Sequence, residues 1–125
     1  MGKNGVLARQ ELFDLTVKEI IRAPMIEVGQ IQPSSLDLRL GEYAVAMKTS
    51  FLPRADESIE ETMERFRLYD FALSEGKSKI LEKGKTYLIP LQESVNLPPG
   101  FIGWANPKST TGRADVLTSL VVEGV

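Results

Sequence analysis

The spacing of hydrophobic positions changes character along the chain, and each change predicts an element. In residues 7–22, LARQELFDLTVKEIIR, the apolar side chains Phe13, Val17, Ile20 and Ile21 fall at helical spacing, with Leu12 and Leu15 flanking the same stripe. This predicts a helix over 7–22 that covers one end of a sheet and is ended by Pro24. After a turn-rich approach at Gln30-Ile31-Gln32-Pro33-Ser34-Ser35 the period drops to two. Leu36-Asp37-Leu38-Arg39-Leu40 alternates as a half-buried strand does, and Gly41 closes it. Residues 43–47 are expected to continue the sheet. Ser58 and Glu61 stand at capping-box spacing within the charged stretch 53–65, which predicts a short surface helix there. The acidic run 56–64 reads as a solvated face.

Further strands are expected at 66–71 and at 86–91, where Gly84 and Pro90 act as punctuation, and a turn at 95–100. Residues 101–105 read as an apolar strand, with Phe101 and Trp104 in the core. Residues 106–113 form the most polar loop of this half, and 116–122 form an apolar, β-branched run. Short strands at close spacing with Pro and Gly turns predict a mainly β fold, barrel or sandwich, with one N-terminal helix, in a single domain over residues 1–125. The run 121–125 has no polar tail. A strand there without its partner would expose backbone groups and an apolar face, so the expectation is an incomplete domain, a piece of a longer protein. An ordinary short C-terminal strand is the alternative.

Composition narrows the chemistry. The 125 residues are 42% hydrophobic and 26% charged, as in soluble globular domains. The net charge of -2 gives no basic field for nucleic acid, so an anionic ligand has to be held by a local cluster. No apolar run approaches the ~20 residues of a membrane helix, and Met1-Gly2-Lys3-Asn4-Gly5 leads into no signal core, which points to the cytoplasm. Cys and His are both absent. A zinc deaminase holds its metal on such residues, and a Ser-His-Asp triad needs the imidazole, so neither chemistry can be built from this chain. What remains suits phosphate binding and attack by carboxylate-activated water.

Pro107-Lys108-Ser109-Thr110-Thr111-Gly112-Arg113 is the richest cluster: two cations, three hydroxyls and a glycine within seven residues. Arg offers a planar fork and Lys a point charge to phosphate oxygens, and hydroxyls fix the remainder. Gly112 would let the backbone come close or take positive φ. The order is not that of a Walker loop. Taken alone, such a cluster is more often an ordinary polar turn between strands than a phosphate site. Asp37, read from the pattern alone, is an outward strand residue paired with a neighbour such as Arg39.

Two separated stretches resemble the deoxycytidine triphosphate deaminases. Gln32-Pro33-Ser34-Ser35-Leu36-Asp37-Leu38-Arg39-Leu40-Gly41 matches that family's Q-P-[AS]-S-[VL]-D-L-R-L-G signature at every position. Leu97-Pro98 followed by residues 107–113 is similar to its L-P turn and G-R-S-S-x-[AG]-R motif. Residues 82–93 and 6–12 resemble the strand pair and opening helix that the family places there. Lys108 and Pro107 depart from the common Arg and Gly, a variant that looks like a longer proteobacterial branch.

The resemblance implies a deoxyuridine-triphosphatase-like distorted β-barrel, the β-clip, and hydrolytic deamination of dCTP without zinc. It implies catalytic roles for Ser109 and Arg113, and substrate binding by Lys108, Ser109, Thr110, Thr111, Arg113 and Asp37, with no metal held by the protein itself. Magnesium is expected on the substrate triphosphate, and the family is a homotrimer with sites built between subunits. The water-activating Glu of the family lies roughly two dozen residues beyond the motif's Arg, past Val125, so the 125 residues alone are expected to be inactive. A deoxyuridine triphosphatase and a non-catalytic nucleotide-binding module on the same fold are the alternatives.

Overall fold

The computed structural model describes residues 5–51, 54–73 and 79–121. It forms two compact units, one from residues 1–42 and 89–101, the other from residues 43–88 and 102–125. The fold is mainly β in organisation: each named strand pairs antiparallel, in a two-stranded and a three-stranded sheet. The strands are short. Three α-helices stand among the described residues: the expected N-terminal and surface helices, and a third that the sequence pattern does not predict. None of these helices is long and apolar enough to cross a membrane.

The first unit opens with α1, Arg9–Val17, shorter than the expected 7–22. Its end is built locally. Glu19 takes φ 58°, and the N–H groups of Glu19 and Ile20 turn back to the carbonyls of Thr16 at 3.2 Å and Leu15 at 3.0 Å. This is the Schellman closure, here with a charged residue in the left-handed position that glycine usually fills. The helix therefore stops before Pro24 can act, and Ile20 and Ile21 leave its register. Leu12 and Leu15 become the buried face, while Phe13 and Val17 are 43% and 66% exposed.

Strand β1, Ile21–Arg22, pairs with β5, Ser94–Val95. Leu12, Leu15, Ile21 and Ile31 form the apolar core of this unit. The alternating segment 36–40 is not a continuous strand. Isolated bridges pin its ends, Leu36 to Ile31 and Leu40 to Leu91, and its interior backbone is held partly by the backbone of Gln30 and Gln92 and partly by the side chains of Gln30 and Glu93. Gly41 lies so close to Pro90 that a Cβ would meet the Pro90 carbonyl oxygen at 2.7 Å, and its N–H donates to that oxygen at 2.6 Å.

In the second unit β2, Tyr43–Met47, is the middle strand between β3, Arg67–Ala72, and β4, Thr86–Leu88. Four consecutive residues, Ala44 to Met47, are buried, as in a strand covered on both faces. The β2–β3 register skips between Ala46 and Met47, leaving Leu68 as a bulge between the partners Tyr69 and Arg67. Tyr69, Phe71 and Tyr87 form an aromatic row across the sheet, with centroids 6.2 and 6.0 Å apart. The expected surface helix is α2, Ile59–Phe66: Ser58 Oγ accepts from the Glu61 N–H, and the Glu61 carboxylate accepts from the Ser58 N–H, each at 3.1 Å.

Several expected strands are shorter or absent. Residues 89–90 fall outside β4, and 101–105 and 116–121 form no strand, while Val122 lies outside the described residues. Phe101 is 38% exposed, Ile102 79%, Trp104 86% and Leu117 95%, so Phe101 and Trp104 are not core. A β-rich segment with no neighbouring strand to pair its backbone gains nothing from extended geometry beyond solvent contact.

Candidate functional site

Residues 108–113 are not a loop between strands. Ser109–Arg113 form a short helix, α3, entered through Lys108 in an extended conformation (φ -62°, ψ 152°). It closes as α1 does: Asp115 takes φ 58°, with Asp115 N–H to the Gly112 carbonyl at 3.0 Å and Val116 N–H to the Thr111 carbonyl at 3.3 Å. Gly112 is thus not needed for positive φ, and a Cβ on it would only touch Pro107 at 3.9 Å. The residue carrying the left-handed turn is Asp115, whose short polar side chain tolerates it. Five residues make less than two helical turns, too short for a periodic signal in the sequence.

The helix brings the proposed phosphate-binding residues together. Ser109 and Arg113 are spaced i, i+4, and Thr110 and Arg113 i, i+3, so each pair shares a face. Lys108, Ser109, Thr110 and Arg113 are exposed and Thr111 is half-buried. Asp37 belongs to the first unit and the other five to the second.

Asp37 sits in a dense polar network centred on Glu93, which sequence reasoning missed. The Glu93 side chain has no solvent exposure. It accepts from Arg39 twice, from the backbone N–H at 2.5 Å and from Nε at 2.9 Å, and from Gln30 Nε2 at 3.5 Å. Arg39 also donates through Nη2 to the Met25 carbonyl. Gln30 Nε2 donates to the Asp37 carbonyl at 3.0 Å, and the Asp37 N–H donates to the Gln30 carbonyl at 2.8 Å. Gln32 Nε2 reaches the Asp37 carboxylate at 3.3 Å. The ion pair of Arg39 is thus with Glu93. A buried carboxylate is costly unless paired and hydrogen-bonded, and here both conditions are met. The signal that could have found it is the spacing of Leu91, Glu93 and Val95, which puts a carboxylate in phase with apolar positions.

A separate open cleft of about 340 Å³ lies in the first unit among Arg9, Gln10, Phe13, Val28 and Ile31. None of the candidate catalytic or substrate-binding residues lines it. Among the described residues no group of three or more Asp, Glu, His or Cys could hold a metal ion.

The family model described as the 2'-deoxycytidine 5'-triphosphate deaminase N-terminal domain matches residues 3–125. A dCTP deaminase, dUMP-forming, of Methanobrevibacter smithii is 32% identical, over 84% of this chain and 57% of that protein. A dCTP deaminase of Actinobacillus succinogenes is 25% identical, over 82% of this chain and 56% of that protein. The crystal structure of 2'-deoxycytidine 5'-triphosphate deaminase from Agrobacterium tumefaciens superposes with a TM-score of 0.88 at 37% identity, covering 97% of this chain and 36% of that one. The chain thus spans a little over half the length of these two curated relatives and about a third of the solved structure. With the match running across almost all of its residues, the chain belongs to the family of 2'-deoxycytidine 5'-triphosphate deaminase N-terminal domains.

Proposed function

We propose that the full-length protein carries out hydrolytic deamination of dCTP. The observation that carries this reading is the family match from residue 3 to residue 125. Water adds through its oxygen to C4 of the cytosine ring, the exocyclic amino group leaves as ammonia, and C4 becomes the carbonyl of dUTP. The step needs a carboxylate to take the water's proton, and by resemblance that Glu lies C-terminal to residue 125. Ser109 hydrogen-bonds near the reacting centre and Arg113 orients the carboxylate or the base. Lys108, Thr110 and Thr111 hold phosphate oxygens, and Asp37 shapes the nucleotide site. The substrate is the magnesium complex of the triphosphate. An ion held mainly by phosphate oxygens needs no cluster of protein carboxylates. The protein acts in the cytoplasm as a homo-oligomer, a trimer with sites between subunits.

One observation favours a second product. The Methanobrevibacter relative is named as dUMP-forming, so deamination followed by loss of pyrophosphate is the specific alternative. Incubating the full-length protein with dCTP and magnesium, and measuring ammonia, dUTP, dUMP and pyrophosphate together, tests both. Ammonia with dUTP supports the first reading, ammonia with dUMP and pyrophosphate the second, and absence of ammonia overturns both.

A further inference from the structure

The segment that carries Asp37 is fixed by more than a surface turn requires. Of the three buried polar residues among those described, Gln30, Thr62 and Glu93, two stand directly behind this segment. Gln30 holds the Asp37 peptide at both ends, accepting from its N–H at 2.8 Å and donating to its carbonyl at 3.0 Å. The Gln30 amide is itself committed: Oε1 accepts from the Glu27 N–H at 2.9 Å, and Nε2 also faces Glu93 Oε2 at 3.5 Å. Gln32 Nε2 is anchored on the Gly29 carbonyl at 2.9 Å and reaches Asp37 Oδ2 at 3.3 Å. Apolar packing with the two end bridges would hold such a segment in place. Satisfied buried polar groups additionally set its geometry, because each bond tolerates little displacement.

We propose that Gln30 and Gln32 are positioning residues for Asp37 in the nucleotide site, Gln30 through its peptide and Gln32 through its carboxylate, with the buried Glu93 bracing Gln30. The inference rests on the reading of Asp37 as part of that site. A neutral amide suits this role because it orients a carboxylate without adding a countercharge.

The test is a thermodynamic cycle on the full-length protein, read by the calorimetric Kd of dCTP with magnesium and by urea unfolding. Gln32 is only half-buried, so Gln32→Met is expected to fold with near-native stability while weakening dCTP binding about threefold to tenfold, less than the full worth of a hydrogen bond to a carboxylate because the contact acts on the ligand only through Asp37. In the Asp37→Ala background the same change is expected to leave Kd unaltered. Gln30→Met is expected to destabilise the fold in both backgrounds and to weaken binding only where Asp37 is present. If Asp37→Ala weakens binding but Gln32→Met and Gln30→Met do not, or if their effects add in full to that of Asp37→Ala, the positioning role is overturned. If Asp37→Ala itself leaves Kd unaltered, the assignment of Asp37 falls instead.

Discussion

Glu93 accepts two hydrogen bonds from one residue 54 positions away, the Arg39 backbone N–H at 2.5 Å and the Arg39 Nε at 2.9 Å. The pair ties the alternating segment to the stretch leading into β5 through a carboxylate with no solvent exposure. Removing one partner leaves an uncompensated buried charge, whereas removing both leaves apolar groups. Arg39→Met is expected to lower unfolding free energy by about 3 kcal/mol, and Arg39→Met combined with Glu93→Met by clearly less than the sum of the single changes. Urea titration of the four proteins checks this. Additive losses would show that the pair is not coupled.

The approach of Gly41 to Pro90 gives a steric prediction. A methyl group placed 2.7 Å from a backbone oxygen forces the chain to move. Gly41→Ala is expected to cost about 1–3 kcal/mol. Gly29→Ala, where nothing lies within 4 Å, is the control and is expected to change stability little. Equal denaturation midpoints for the two variants would contradict the close approach.

At the end of α1 the left-handed position is filled by Glu19, with φ 58°. This geometry costs an L-residue with a side chain roughly 1–2 kcal/mol that glycine avoids. Its ion pair with Arg22, at 4.0 Å between two largely exposed side chains, returns little. Glu19→Gly is therefore expected to raise stability by about 1 kcal/mol, seen as a higher thermal midpoint. A lower midpoint would mean that the side chain contributes more than the geometry costs.

Arg113 is exposed at the last turn of α3, and the proposed site assigns it a charge-assisted contact to the nucleotide. Arg113→Ala in the full-length protein is expected to weaken dCTP binding by ~1.5–3 kcal/mol without lowering the thermal midpoint of the free protein. Unchanged affinity by calorimetry would remove Arg113 from the proposed site.

What can be read from the sequence follows the range over which each signal acts. The Ser58–Glu61 capping box lies within four residues, and α2 begins where it says. The central strand β2 is legible because its apolar run matches its burial. The alternation of Leu36 to Leu40 is present in the sequence, yet some of the backbone bonds of a strand are replaced by the side chains of Gln30 and Glu93, the latter 54 positions from its partner Arg39. Periodicity carries no record of such a distant polar closure. The stripe of α1 is ambiguous because Phe13 and Val17 are as apolar as Leu12 and Leu15, and only the turn at Glu19 selects between the two faces. At the proposed phosphate-binding segment, composition marks Lys108 to Arg113 as chemically dense. It cannot reveal a helix shorter than two turns.

Trp104 is the single tryptophan of the chain and is 86% exposed. Its indole makes it a built-in optical reporter for its own surroundings. Emission should be that of a hydrated indole for these residues alone, and should shift to shorter wavelength whenever further chain, a second copy or a ligand removes water from the ring. Because no other indole contributes, the amplitude of that shift would read the coverage of this one ring directly.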